Sequence, residues 1–207
     1  MYSKTGTPHA TPLSQTLPEA KFGEHHCGIV EAPPDAVWQA LQQLRWTDLT
    51  IGRPLIAVRG LNTPLHRDRL LETFTLRAGA ALVADAPHST TLAMVGKPWS
   101  LIPQHVRVET LDAVERFTEP GWLKYGMEWL LHPLPGRRTL VETRTLCEAT
   151  DASARRAFRL YWTLIRAFSG ALRLDIIAAL RRSTAHPNAD PCVTAEVPVQ
   201  AAGRGGR

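Results

Sequence analysis

The chain predicts an α+β fold in which a curved antiparallel sheet wraps around one long C-terminal helix. Three observations carry that prediction. Asp151 to Ser183 is a long, wide-faced helical stretch holding Phe158, Tyr161, Trp162, Ile165 and Phe168. Directly before it, Trp122 to Leu131 and Thr139 to Cys147 bracket Pro133-Leu134-Pro135-Gly136-Arg137 and read as a β-hairpin. Further upstream lie short β-prone runs punctuated by glycine and proline. A sheet curved around a single helix leaves a concavity, and large apolar side chains on both walls suit a pocket for an apolar guest.

Taken in order, residues 1 to 20 are polar and proline-punctuated (Thr5, Pro8, Pro12, Ser14, Pro18) and read as a disordered leader. Phe22 to Glu31 reads as a first strand, with His26, Gly28 and Val30 on one face and Cys27 and Ile29 on the other. Pro33-Pro34-Asp35 starts a helix, where the missing N–H of proline costs nothing, and Val37, Ala40, Leu41 and Leu44 recur at helical spacing beside Trp38. A second short helix is expected between Trp46 and Gly60. Leu70, Phe74 and Leu76 alternate with threonines and an arginine and are read as a strand. Gly79 turns the chain, Ala81 to Ala84 continues it, and Thr90 to Val95 follows a turn at Pro87-His88-Ser89. Leu101 to Thr110 is expected to add a strand that Pro103 weakens. The folded unit is read as residues 21 to 186, and residues 187 to 207, ending Gly-Arg-Gly-Gly-Arg, as a disordered tail.

The hairpin also predicts its own register. Symmetry about Gly136 sets Leu131 against Val141, Trp129 against Thr143, Met127 against Thr145 and Tyr125 against Cys147. The other face then pairs Glu128 with Arg144 and Lys124 with Glu148, both complementary, whereas a one-residue slip would move every side chain across the sheet. The expectation is an apolar-plus-threonine lining inside and ion pairs outside. In the last helix, Ala154, Phe158, Tyr161, Ile165, Phe168, Leu172, Ile176 and Ala179 form one stripe, and Asp151 is placed to cap it. Ser169-Gly170 interrupts the helix, since glycine there costs roughly 1 kcal/mol against alanine. Either a bend or a close neighbour is expected at that point.

The net charge of +5 is dispersed. Arg155, Arg156, Arg159, Arg166 and Arg173 share one side of the last helix and read as a solvated face, without a nucleic-acid-binding motif beside them. Cys27, Cys147 and Cys192 are far apart and odd in number, which fits free thiols and a cytoplasmic chain. No apolar run approaches the ~20 residues of a membrane span. Glu142 and Arg144 invite a catalytic reading, but the register turns them outward into cross-strand ion pairs. His25 and His26 are neighbours on a strand and point to opposite faces, so no metal site is read here. Cys147 has no histidine beside it to activate it, and no glycine-rich phosphate loop or hydrolase serine elbow exists. No cofactor is expected.

Several motifs carry a family resemblance. They are Ile29-Val30-Glu31-Ala32-Pro33-Pro34-Asp35-Ala36-Val37-Trp38, Glu119-Pro120-Gly121-Trp122-Leu123-Lys124, Val141-Glu142-Thr143-Arg144-Thr145, and Thr150-Asp151 through Arg155-Arg156-Ala157-Phe158 to Tyr161-Trp162. Over about residues 22 to 185 the chain resembles the helix-grip fold of the START-like superfamily, and within it the bacterial SRPBCC proteins of polyketide cyclase/dehydrase-like type. The resemblance implies a cavity between sheet and last helix, and a superfamily of lipid carriers, receptors, aromatase/cyclases and co-chaperones. The lining expected of this chain is Phe74, Trp99, Tyr125, Met127, Trp129, Thr143, Thr145, Phe158, Trp162, Ile165, Phe168 and Ser169, around an apolar or amphipathic small molecule. A cyclase or dehydratase would need a poised acid or base there, for which Tyr125, Glu142 and Arg144 are the candidates. A filled core with the arginine face turned to a partner is the remaining alternative.

Overall fold

The computed structural model describes residues 10–51, 68–100, 102 and 104–185. Helix α1 (Pro12–Thr16) leads into β1 (Phe22–Val30) and α2 (Pro34–Gln43), followed by a 3₁₀ turn at Trp46–Asp48. After the undescribed stretch come α3 (Leu70–Ala78), β2 (Ala81–Asp85), β3 (Ser89–Lys97), β4 (Gln104–Val106) and α4 (Leu111–Glu115). The hairpin β5 (Leu123–Leu134) and β6 (Arg138–Ala149) and the long α5 (Ala152–Ala185) complete the chain. The sheet has six strands in the order β1-β6-β5-β3-β2, with β4 added to the end of β3, and every pairing is antiparallel. A curved antiparallel sheet holding one long C-terminal helix is the helix-grip fold, as the sequence predicts.

The hairpin takes the expected register. Leu131 faces Val141, Trp129 faces Thr143, Met127 faces Thr145 and Tyr125 faces Cys147, with Glu128 opposite Arg144 and Lys124 opposite Glu148. Gly136 and Arg137 turn the chain with positive φ (79° and 57°). The inner faces of β1, β5 and β6 meet α2 and the C-terminal half of α5 in one core around Val30, Leu41, Trp129, Val141, Ile176 and Leu180. Gly28 permits the close approach: a Cβ there would lie 2.8 Å from Ile177 Cγ2.

The outer face departs from expectation, because its ion pairs are covered. Residues 10 to 20, read from sequence as leader, form a strap in which Thr11 caps α1 and Leu13 and Leu17 are sealed against Ala93, Val95 and Val114. The strap fits because Gly126 has no side chain, since a Cβ there would come 2.5 Å from Leu13 Cδ1. Composition hides this helix, as two leucines among prolines and hydroxyl residues are too few to mark an apolar periodicity. Under the strap, Glu128 is fully buried and accepts a 2.8 Å hydrogen bond from the Thr11 hydroxyl, with Arg144 Nη1 3.8 Å away. Lys124 Nζ sits 2.6 Å from Glu148 and donates to the Glu115 carbonyl, while Glu148 accepts from the Glu19 backbone N–H. The sheet centre is therefore buried on both faces.

A second correction concerns Leu70 to Leu76, which is helix and not strand. Leu70 and Leu71 are adjacent and both buried, which a strand with one solvated face cannot achieve. Gly79 closes the helix in the left-handed region (φ 63°). Thr73 accepts a 2.9 Å bond from Trp46 Nε1 and fastens the helix to the 3₁₀ turn. Of the helix expected between Trp46 and Gly60, the turn at Trp46–Asp48 is present and the part beyond Ile51 lies outside the described residues. So do residues 1–9 and the expected tail. Among the described residues from 102 to 110 only Gln104–Val106 forms a strand, and Leu111–Glu115 is a helix that the sequence pattern does not announce.

Burial pushes the Glu128 carboxyl above the ordinary carboxylate range, against the Thr11 hydrogen bond and the Arg144 charge that pull it down. A carboxylate raised on folding stabilises the fold only while protonated, and that contribution is lost as pH rises through the raised value. Glu128→Gln should therefore gain stability relative to wild type as pH rises from the ordinary glutamate range (about 4) upward. Thermal unfolding across that rise measures it, and a difference independent of pH would contradict the assignment.

Candidate functional site

Helix α5 is fastened at its two ends and loosely seated between them. Asp151 caps it through a 2.7 Å bond to the Ala154 N–H, and Ala154 and Phe158 are buried. At the other end Arg173, Asp175, Ile176, Ile177, Ala179 and Leu180 are buried, and Asp175 accepts from the Ile51 N–H at 2.7 Å. From Arg159 to Leu172 no residue is fully buried. The space between that central segment and the sheet is the candidate site.

At the N-terminal end of the site stands an aromatic cluster. Phe158 packs edge-on against Phe22 (5.0 Å between centroids) and lies 5.6 Å from Trp162, 6.0 Å from Tyr161 and 6.2 Å from Trp99. Leu123, Cys147 and Tyr125 close it from the sheet. Only Leu123, Cys147 and Phe158 of this set are sealed; the aromatic rings around them are half-buried. Burial pushes the Cys147 thiol up, with Glu24 adding to the effect, so this cysteine behaves as a small hydrophobe.

Deeper along the helix the lining turns polar. His26, Thr143 and Trp129 are cross-strand neighbours in a single row over β1, β6 and β5. Glu24, Thr145 and Met127 form the next row. Arg173 reaches in from α5: it donates to Thr145 Oγ1 at 3.0 Å and to Met127 Sδ at 3.2 Å, with its guanidinium 5.4 Å from the centroid of the Trp129 ring. Burial pushes the Arg173 pKa down to about 10, Glu24 opposing the shift, so the group stays charged at neutral pH. Ser169 donates to Glu24 Oε1, and His26 Nε2 lies 3.6 Å from Glu24 Oε2, beyond hydrogen-bond reach. His26 Nε2, Thr143 Oγ1, Trp129 Nε1 and Arg173 Nε are sealed from solvent with no hydrogen-bond partner among the described residues.

The structure thus brings together Trp99, Tyr125, Phe158 and Trp162 at one end and Met127, Trp129, Thr143, Thr145 and Ser169 at the other. Phe74 is on α3, packs against Trp46, 6.2 Å away, and borders the same core cluster as Met127 and Trp129. Phe168 is 52% exposed, and Ile165 is half-buried. Glu142 and Arg144 are on the outer face, where Arg144 Nε donates to Glu142 at 2.8 Å and His25 and His132 approach the same carboxylate at 2.9 and 3.1 Å. Burial pushes Glu142 up, but Arg144 and His132 outweigh it and hold the carboxyl below its ordinary value.

Sequence reasoning missed Glu24, His26 and Arg173. Strand alternation marks the first two, because they share a face with Gly28 and Val30. Arg173 was read as part of a solvated arginine face, yet it is 4% exposed, while Arg155, Arg156, Arg159 and Arg166 are exposed. Two concavities, about 290 Å³ beside Phe22, Lys124 and Arg155 and about 500 Å³ beside Ile29, Arg181 and Thr184, lie at the two ends of α5. The room left by Thr143, Thr145 and Gly170 is occupied by Arg173 and His26.

Comparison with known proteins gives the fold its setting. No family model matches the chain, and no curated protein matches its sequence. Among solved structures it is similar to a hypothetical protein of Helicobacter pylori, at 9% identity and TM-score 0.42, covering 88% of this chain and 99% of that one. It is similar also to the Zhui aromatase/cyclase from Streptomyces sp. R1128, at 14% identity and TM-score 0.33, covering 81% and 96%. A third likeness is to Ara h 8.0201, at 9% identity and TM-score 0.27, covering 79% and 97%. Such distant likenesses do not bear on what this chain binds. Among the described residues no helix is long and apolar enough to cross a membrane.

Gly170 now has a physical reason, since a Cβ there would lie 3.2 Å from His26 Cε1 and 3.3 Å from His26 Nε2. Gly170→Ala should therefore forfeit most of the helix-propensity gain in wild type, yet stabilise a His26→Ala background by roughly 1 kcal/mol. Denaturant unfolding of the four proteins checks the cycle. Equal gains in both backgrounds would mean His26 is not the reason for the glycine.

Proposed function

We propose that the protein binds an amphipathic small molecule between the sheet and the centre of α5. The observation that carries this reading is the set of sealed, unpartnered polar atoms under a helix segment with no fully buried residue. Each such atom costs about 1–3 kcal/mol while unpaired, and a guest that pairs with them recovers that free energy. The half-buried rings of Trp99, Tyr125, Tyr161 and Trp162 supply an apolar flank, where desolvation contributes about 25 cal/mol per Å². The closed arrangement is then the unliganded form, and the segment from Arg159 to Leu172 is where the guest gains entry. Membership of the SRPBCC proteins, implied by the sequence motifs, belongs to this proposal, as does a cytoplasmic setting.

A specific observation favours a second reading, a module that binds another macromolecule. Leu160, Leu164 and Phe168 are 74%, 75% and 52% exposed and follow one another at i, i+4 spacing on the solvent side of α5, next to the exposed arginines. The enzymatic reading is weaker, because Glu142 and Arg144 face away from the site and only Tyr125 of the three candidates is on the inner face.

Hydrogen exchange and native mass spectrometry of the full chain separate these readings. Small-molecule binding predicts faster amide exchange for residues 160–172 than for 174–182, slowed when a co-purified guest is restored after extraction. Uniform protection along α5 and no guest would count against it. Loss of self-association or of a captured protein on Leu164→Glu, with no guest bound, would favour the module.

A further inference from the structure

We propose that the head group of the guest is a carboxylate, held by Arg173 Nε, Trp129 Nε1 and Thr143 Oγ1, with the apolar remainder against the aromatic cluster. The inference rests on the binding reading above and names the chemistry of its ligand. It begins from which unpartnered atoms can only donate. The indole N–H of Trp129 and the Nε–H of Arg173 have no acceptor capacity, while Thr143 and His26 can take either role. The partner that this row lacks is therefore an acceptor oxygen, and an amine or ammonium is excluded at the two donor-only positions.

Charge narrows the class further. Arg173 is 4% exposed and forms no ion pair with a carboxylate among the described residues. A guanidinium buried without a paired counter-ion is costly. Its Nη2 is engaged by two neutral groups, Thr145 and Met127, which leaves its Nε edge for the missing partner. Glu24 acts on it from beyond ion-pair distance, and that carboxylate is already taken by Ser169 and faces His26. A water molecule could accept from a donor yet would add no charge to that of Glu24 opposite the guanidinium; a carboxylate does both and has two oxygens to share among the donors. The position of the row sets the orientation of the guest. His26, Thr143 and Trp129 lie on the deep side, and the part-exposed aromatics lie toward the N-terminal end of α5, so the head enters first and the tail follows.

Calorimetric titration of the full chain, freed of co-purified lipid, tests this with dodecanoate, 1-dodecanol and dodecylamine. Dodecanoate should bind at least tenfold more tightly than the alcohol, with the amine weakest. Arg173→Met should weaken dodecanoate about tenfold or more and leave the alcohol within about threefold. Trp129→Phe, which keeps the ring and deletes the N–H, should weaken dodecanoate about three- to tenfold and provides the answer if the arginine variant does not fold. Equal binding of all three probes, or preference for the amine, overturns the carboxylate assignment while leaving the pocket. Binding by none, with exchange at the centre of α5 unmoved, overturns both. A crystal structure in dodecanoate that holds only water between Trp129 and Arg173 overturns the carboxylate assignment alone.

Discussion

The pairing register of β5 with β6 is the constraint on which the rest of this structure depends. It sends Tyr125, Met127, Trp129 and Leu131 to the side of α5 and Lys124 and Glu128 to the side of the N-terminal strap. A slip of one residue would put Glu128 beneath the long helix and Trp129 beneath Leu13, and neither layer could close. The same register continues through β6 into β1, so it also decides that Glu24 and His26 face inward while His25 and Cys27 face out.

Because the centre of the sheet is covered on both faces, the charged residues there cannot rely on water. On the outer face the solution is pairing: Lys124 with Glu148, and Glu128 with the Thr11 hydroxyl and Arg144. Breaking such pairs leaves a buried charge uncompensated, which is worse than never having buried it. The outer polar groups thus hold the strap in one position, although Glu128 Oε2 and Thr91 Oγ1 beside it have no hydrogen-bond partner among the described residues.

On the inner face the unpartnered atoms are more numerous and lie beside α5. There Arg173, Trp129, Thr143 and His26 retain unpartnered atoms although they are as well sealed as the outer set. The outer face keeps two such atoms, Thr91 Oγ1 and Glu128 Oε2, whereas the inner four include donors that cannot accept, so that the inner row calls for an acceptor from beyond the chain. The long helix is compatible with this, being fixed by Phe158 at one end and by Ile176 to Leu180 at the other, with a loosely seated centre between.

Most of the fold was legible in the sequence, and less of the site. Period-two alternation and complementary charges determined the hairpin register, helical periodicity determined the extent of α5, and Pro33-Pro34-Asp35 marked the start of α2. These are local patterns, set by backbone geometry within a few residues. Only the tertiary structure decided that Leu13 and Leu17 belong to the core, that Leu70 to Ala78 is helical, and that Arg173 turns inward while Phe168 turns out. Each of those depends on a partner far along the chain: Gly126 makes room for Leu13, Trp46 donates to Thr73, and Thr145 with Met127 accepts the guanidinium. Hydrophobicity alone would have ranked Phe168 inside and Arg173 outside. Hydrogen-bond acceptors waiting on the sheet reversed the order, and no pattern within the helix carries that information.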